Sequence, residues 1–190
     1  FSDVFDDIGT ENLEDAVLTL LDNLLLQSGL NPDSTQAQLL KIDVLDQLAQ
    51  MPELSQLHLR LKELQDEACS KLDDSYFLED IMWIEGICYV NLKELAVAAD
   101  RRYVWLPNVS TVSITKGKST LVFQKNTSNV EINGKAKSMD ANAFIHSNYL
   151  YVPLDFIANE LDYMYLVVGT NNKMIFFPAA VDKTVKSLMQ

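Results

Sequence analysis

The stretch that decides the fold occurs twice, as YVNLKELA at residues 89–96 and as YVPLDFIA at residues 151–158. The two copies begin 62 residues apart, and the match continues without gaps on both sides. Downstream of the copies, Asp100 aligns with Asp162. Self-similarity at a fixed offset is typical of a duplicated structural unit. The pattern therefore predicts a repeat architecture, and it carries little information about chemistry.

Charge is distributed unevenly and indicates a boundary near residue 80. The chain has 190 residues and a net charge of −12. Residues 1–80 hold 18 acidic and 4 basic side chains, whereas residues 81–190 hold 9 acidic and 11 basic ones. We therefore expect an acidic domain over residues 1–78, a duplicated domain over residues 79–178, and a C-terminal tail over residues 179–190.

The composition argues against several kinds of partner. An acidic chain is a poor candidate for sequence-independent nucleic-acid binding, which depends on Lys and Arg neutralising phosphates. The same charge argues against an anionic membrane surface. No stretch reaches the roughly 20 apolar residues that a membrane span needs. The first residue is Phe rather than Met, which leaves open the removal of an N-terminal signal or anchor.

Three amphipathic helices are expected in the acidic region. The first runs from an N-cap at Thr10 to Ser28, with Gly29 as its stop. The second continues to about Gln50, and Pro52 suits the first turn of the third. Short loops between such helices predict a small antiparallel bundle, with a groove for a partner as the alternative reading. The apolar faces comprise Leu13, Val17, Leu20, Leu21 and Leu24, widened by Leu18, Leu25 and Leu26, then Ala37, Leu40, Val44 and Leu48, and finally Leu54, Leu57, Leu61, Leu64 and Ala68.

Each repeat has the pattern strand, tight turn, strand, helix, strand, strand. Asn91 is placed to cap the first helix, and Pro153 takes the start position of the second. Strand-like alternation continues between the repeats. The expected turns are Glu85-Gly86, Asn148, Asn133-Gly134 and Asn171-Asn172. The predicted fold class is α+β, with an N-terminal three-helix bundle followed by a duplicated β-hairpin/helix/β-hairpin domain with antiparallel sheets.

The second copy of the motif resembles a known family. Tyr-Val-Pro-Leu-x-Phe-Ile-Ala after a hairpin, followed by two strands, is similar to the copper amine oxidase N-terminal-like domain, also called the stalk domain. The segment 130–135 resembles the family's central Val-x-x-Asn-Gly-Lys pattern. The resemblance covers about residues 80–178. It departs at Asn91, where Pro is usual, and at Arg101-Arg102, where a Gly usually follows the helix. In the second repeat, Asp162 and Tyr163 replace that Gly, so the C-terminal geometry of both helices is open.

The resemblance implies a non-catalytic module of the kind found in surface proteins of Gram-positive bacteria. It implies an extracellular or cell-wall-associated location, with a cell-wall polymer or another surface protein as partner. We therefore expect a non-catalytic extracytoplasmic module for cell-surface attachment or protein interaction. The alternatives are an accessory domain of a cell-wall hydrolase and a carbohydrate-binding module. The oligomeric state is left open.

The residues themselves do not support enzyme chemistry. Amine oxidase activity needs a tyrosine-derived quinone in an Asn-Tyr-acid-Tyr context, but Leu150 stands where the acid belongs, and His58 and His146 are too few for a three-histidine copper site. No Gly-x-Ser-x-Gly, His-Glu-x-x-His or phosphate-loop motif is present. We expect no enzyme activity, no cofactor and no metal site. A Cys88–His146 nucleophile pair is the remaining option, against a buried thiol and an edge histidine.

Weaker site candidates remain. Strand alternation places Tyr103 with Trp105, and Tyr163 with Tyr165, on common faces, so the four are candidates for an aromatic carbohydrate-binding face. The alternative is that they pack into the core. The acid pairs Asp6-Asp7 and Asp73-Asp74 lack the spacing of a calcium-binding loop, and a solvated surface is expected for them. Cys69 and Cys88 are expected to be buried thiols, with a single disulfide as the alternative.

Overall fold

The computed structural model describes residues 12–72, 76–168 and 173–179. The helices before residue 73 belong to one compact unit, here called the helical unit, and residues 76–167 with 173–177 belong to a second, the duplicated unit. Each unit contains its own hydrophobic core. The predicted Thr10 cap, the Asn171-Asn172 turn, both acid pairs and the tail beyond residue 179 lie outside the described residues. The predicted domain boundary at residue 78 stays a prediction.

The helical unit contains the three predicted helices, α1 (Leu13–Ser28), α2 (Thr35–Ala49) and α3 (His58–Ser70). Gly29 ends α1 in the left-handed conformation, and the Ser34 hydroxyl accepts a hydrogen bond from the Ala37 N–H at 3.2 Å. Residues 52–57 form a 3₁₀ segment before α3. Short 3₁₀ turns, in which each N–H group bonds to the carbonyl three residues earlier, are common at the ends of α-helices. The predicted apolar faces are buried or half-buried except at Leu26, which is 81% exposed. No helix in the described ranges is long and apolar enough to cross a membrane.

The duplicated unit contains three antiparallel sheets, with the strand orders β1-β12-β11, β2-β3-β10-β9 and β4-β5-β6-β7-β8. The first repeat supplies β2 to β5, the second supplies β9 to β12, and β6 to β8 lie between them. This arrangement confirms the predicted fold class. The strands are β1 (Tyr76–Leu78), β2 (Ile81–Ile84), β3 (Ile87–Asn91), β4 (Arg102–Leu106), β5 (Thr111–Lys116), β6 (Ser119–Gln124), β7 (Asn129–Ile132), β8 (Lys135–Ser138), β9 (Phe144–His146), β10 (Tyr149–Pro153), β11 (Tyr163–Val168) and β12 (Lys173–Pro178).

The two repeats meet at their most similar residues. Strands β3 and β10 pair antiparallel, with Val90 opposite Val152. These two valines are equivalent positions of the two repeats, 62 residues apart in the sequence. Tyr89 lies opposite Pro153, and Asn91 opposite Tyr151, as two-fold symmetry requires. The duplication is therefore built around a local two-fold axis that passes through this valine pair.

The helices α4 (Leu92–Ala98) and α5 (Leu154–Leu161) follow β3 and β10 directly. The Asn91 side chain caps α4 by accepting hydrogen bonds from two backbone N–H groups, as predicted. Asp100 and Asp162 both have positive φ angles, 51° and 59°. An aspartate tolerates this left-handed conformation better than most residues. The two aspartates therefore provide the left-handed turn by which the chain leaves each helix.

Candidate functional site

The four aromatic residues predicted to bind carbohydrate lie on two strands in different sheets. Tyr103 and Trp105 belong to β4, and Tyr163 and Tyr165 to β11. All four are half-buried and pack against the core of the duplicated unit. Tyr163 also stacks on Phe176, with ring centroids 4.4 Å apart. The structure thus keeps each predicted pair on its strand, does not unite the pairs in one sheet, and leaves their binding role a prediction.

The two equivalent tyrosines, Tyr103 and Tyr165, differ in the surroundings of their hydroxyl groups. The Tyr165 hydroxyl donates a hydrogen bond to the Asp155 carboxylate. Burial raises the pKa of Tyr165, and this hydrogen bond raises it further. The Tyr103 hydroxyl is buried without a hydrogen-bond partner among the described residues, and burial raises its pKa. Both rings therefore contribute more to the core than to an exposed face.

A different set of aromatic side chains lines a groove between β1 and α4. The β1–α4 groove has a volume of about 470 Å³. Its three aromatic residues are all exposed, and Val97 is 72% exposed. The Lys93 ammonium lies 5.5 Å from the centre of the Tyr149 ring, within the range of a cation–π contact. The groove is lined by Tyr76, Phe77, Asn91, Lys93, Glu94, Val97, Ala98 and Tyr149.

Backbone contacts fix the shape of this groove. The Glu94 carboxylate on α4 accepts hydrogen bonds from the backbone N–H groups of Glu79 and Asp80, each at 2.9 Å. These bonds tie α4 to the residues that follow β1. Strand β1 is the edge of its sheet, with β12 as its only strand neighbour among the described residues. One side of the β1 backbone is therefore without a strand partner there.

A polar network that the sequence patterns did not reveal lies behind the groove. The Asp80 carboxylate accepts hydrogen bonds from the Asn91 side-chain amide and from the Tyr151 hydroxyl, both at 2.7 Å. Asn91 and Tyr151 are buried. Burial, and then the hydrogen bond to Asp80, raises the pKa of Tyr151 to about 12. Tyr151 is the last residue of the segment 148–151, which matches the Asn-Tyr-acid-Tyr pattern of amine oxidases except at Leu150. It is therefore a structural tyrosine of the central strand pair.

The structure separates the candidate nucleophile pair Cys88 and His146. Cys88 lies on β3, next to the residue that pairs with Pro153 at one end of β10. His146 lies on β9 opposite Tyr149, at the other end of β10. Five residues of strand lie between these positions, which is roughly 17 Å at about 3.4 Å per residue. Cys88 is a buried free thiol whose pKa is raised to about 11, chiefly by burial.

Cys88 should therefore react slowly with alkylating reagents in the folded protein. The thiolate is the reacting form, and a pKa near 11 instead of 9.0 lowers its fraction at pH 8 about 100-fold. Burial slows the reaction further. We expect peptide mass spectrometry to show Cys88 unmodified by iodoacetamide at pH 8 over times that fully modify it in urea. Equal rates in the folded and denatured protein would contradict the buried-thiol assignment.

The described residues offer no arrangement that fits a metal ion. No group of three or more His, Cys, Asp or Glu side chains in the described part of the chain lies close enough to hold one. His58 is exposed on α3, and His146 is exposed on β9, where it contacts the edge of the Tyr151 ring. The copper site of amine oxidase chemistry needs three histidines, and the chain has two. The residues present therefore do not fit that site.

Comparison with known proteins assigns the duplicated unit to a family. The family model for the copper amine oxidase N-terminal domain matches residues 74–176. The match spans more than half of the chain and includes both repeats and the strands between them. No curated protein matches the chain. In copper amine oxidases this domain is a non-catalytic module. The chain belongs to the copper amine oxidase N-terminal domain family.

Proposed function

We propose that this chain is a non-catalytic extracytoplasmic module that attaches to a cell surface by binding another protein through the β1–α4 groove. The observation that carries the proposal is the cluster of exposed aromatic side chains in the groove, Tyr76, Phe77 and Tyr149. Aromatic side chains are enriched where protein interfaces derive most of their binding energy. The four half-buried aromatics on β4 and β11 offer less surface for such contacts.

The geometry suits an extended segment of a partner protein. Such a segment can add to the open side of β1 by backbone hydrogen bonds and direct alternate side chains into the groove. Exposed edge strands bind other chains readily, because their N–H and C=O groups on one side lack strand partners. Lys93 at the groove provides a positive charge for an acidic residue of the partner. Glu94 does not oppose it strongly, because its carboxylate already accepts two backbone hydrogen bonds.

A carbohydrate is the second candidate ligand. The exposed rings that would contact a peptide can equally stack on sugar rings, as expected of a carbohydrate-binding module or of an accessory domain of a cell-wall hydrolase. The protein and carbohydrate ligands can be distinguished by treating the cell wall with protease. A protein partner is removed by protease treatment, whereas a wall glycan is not.

Co-sedimentation with Gram-positive cell walls tests the proposal. We expect the chain to pellet with untreated walls and to stay in solution with protease-treated walls. The variant Val97→Asp/Tyr149→Ala should bind about 10- to 30-fold more weakly, since losing an interface anchor costs about 2 kcal/mol. Trp83→Ala is the matched control, because Trp83 is 53% exposed and lies outside the groove. Undiminished pelleting with protease-treated walls would favour the carbohydrate, and no pelleting with either would reject both.

A further inference from the structure

The five-stranded sheet is strongly basic although the chain as a whole is acidic. Residues 101–138, which contain strands β4 to β8, hold seven basic side chains and one acidic side chain, Glu131. Their net charge of +6 contrasts with −12 for the whole chain. A concentration of one sign of charge on one element raises the local concentration of oppositely charged ligands.

The strand register brings five of these seven cations to one end of the sheet. Strand β4 begins there, with Arg102 opposite Thr115, and the β5–β6 turn follows from the pairing of Lys116 with Ser119. The β7–β8 turn lies at the same end, because β5 to β8 are consecutive antiparallel strands. Lys135 is the first residue after that turn. We call this end the basic rim; it comprises Arg101, Arg102, Lys116, Lys118 and Lys135.

Most charges of the basic rim are available to a ligand. Arg102, Lys116, Lys118 and Lys135 are exposed, and Arg101 is half-buried. Among the described residues, the one ion pair found for the rim is between Lys116 and Asp100, at 3.5 Å with both side chains largely exposed. Exposed ion pairs of this kind contribute little free energy, so a ligand can displace Asp100 easily. By contrast, Lys137 on β8 pairs with Glu160 and is not counted in the rim.

The backbone under the rim is held in place before any ligand binds. The Asn133 side chain accepts a hydrogen bond from the Thr120 N–H, and the Asn133 N–H donates to the Thr120 carbonyl, both at 2.8 Å. These bonds join the β7–β8 turn to β6. Arg101 donates to the Ser119 hydroxyl at 3.2 Å, which joins the start of β4 to the β5–β6 turn. Because these strands are already ordered, binding a ligand costs less conformational entropy.

We propose that the basic rim binds a linear polyol-phosphate polymer, a chain of phosphodiesters without bases. From β4 to β8 the rim crosses four strand spacings of about 4.8 Å, or roughly 19 Å, which is enough for several consecutive phosphates. Lys and Arg neutralise such phosphates, and the release of counterions drives binding. This extends the proposed attachment role to a second surface, and its residues are separate from the β1–α4 groove.

Two other polyanionic partners suit the rim less well. A protein interface needs an apolar centre with anchoring side chains, and the five rim residues are all charged. Single-stranded nucleic acid is held by aromatic rings that stack on its bases. Tyr163, on the strand that follows the second repeat's helix, already stacks on Phe176. A nucleic acid would therefore gain charge contacts at the rim without base stacking.

Fluorescence anisotropy of labelled poly(glycerol phosphate) with the full chain tests the proposal. For four phosphate contacts, at roughly −0.7 each, the logarithm of the affinity should fall with the logarithm of salt concentration at a slope of about −3. Affinity should then drop about 50-fold between 50 and 200 mM salt. Lys118→Gln/Lys135→Gln should weaken binding about 10-fold at low salt and reduce the slope by about 1.4.

A matched control separates the rim from general charge. Lys62→Gln/Lys125→Gln makes the same charge change at an exposed residue of α3 and at the opposite end of the same sheet, and it should bind within about 2-fold of the unmodified chain. Circular dichroism confirms that both variants are folded. The proposal is overturned if the unmodified chain does not bind, if the control loses as much affinity, or if poly(L-glutamate) or oligo(dT) binds as tightly as poly(glycerol phosphate). Because the groove is unchanged in these variants, failure here leaves the proposed protein-binding function standing.

Discussion

Replacing Asp80 by alanine is expected to lower the free energy of unfolding of the duplicated unit by about 2–4 kcal/mol. The change removes the acceptor of two hydrogen bonds from buried donors, the Asn91 amide and the Tyr151 hydroxyl. Hydrogen bonds to a charged group contribute about 1.5–3 kcal/mol each, and a buried donor without an acceptor adds its desolvation cost. Asn91 also lines the β1–α4 groove, so water can reach it and limit the loss.

Urea denaturation followed by circular dichroism measures this loss, with Asp140→Ala as the control. Asp140 is an exposed carboxylate in the same unit, and its replacement should change stability by less than about 0.5 kcal/mol. The double variant Asp80→Ala/Tyr151→Phe should cost less than the sum of the two single variants by about 1 kcal/mol, because both changes remove the same bond. Strict additivity would show that the Asp80–Tyr151 bond contributes nothing to stability.

Much of the fold could be predicted because it depends on local signals that the duplication repeats. The turn residues Glu85 and Gly86 have the two positive φ angles that a tight hairpin needs, as do Asn133 and Gly134. Asn91 begins its helix by the predicted capping bonds. Each of these signals acts within about four residues, so sequence spacing is sufficient to find it.

The candidate site could not be predicted in the same way, because it depends on pairings between distant residues. The groove exists because β1 pairs with β12, which places Tyr76 opposite Phe176. No turn or cap encodes such a pairing. Alternation predicts that Tyr103 shares a face with Trp105, and Tyr163 with Tyr165, and each pair lies on one strand. It does not indicate which face of a strand is covered, and these four rings pack on the core while Tyr149 remains exposed.

The polar network around Asp80 could not be predicted from the sequence for the same reason, because it joins residues that are far apart in the chain. Asp80 and Tyr151 are 71 residues apart, and neither lies in a recognisable motif with the other. They meet because β3 and β10 pair around the local two-fold axis, which puts Asn91 opposite Tyr151. The symmetry is broken at this point, since Pro153 replaces Asn91 at the start of α5 and supplies no side-chain cap. A difference between the repeats is therefore a better pointer to the network than their similarity.

Leu92→Ala and Leu154→Ala are each expected to lower the free energy of unfolding of the duplicated unit by about 3–5 kcal/mol. The two leucines are equivalent residues of the repeats, each the first residue of its helix and each fully buried in the same core. Leu→Ala changes at such sites cost about 2–5 kcal/mol, with the larger values where a cavity remains. Because a single core packs both helices, we expect both variants to show one cooperative unfolding transition for this unit.

Denaturation with urea tests this expectation, and Val97→Ala on α4 is the matched control. Val97 is 72% exposed, so its truncation removes little buried surface and should cost less than about 0.5 kcal/mol. The two core variants together should remove about 6–10 kcal/mol, which approaches or exceeds the 5–15 kcal/mol that typically stabilises a domain. If the two repeats folded independently, Leu92→Ala would leave part of the duplicated unit at its original stability, and two transitions would appear. A single shifted transition of similar size for both variants is the result that a shared core around the Val90–Val152 axis requires.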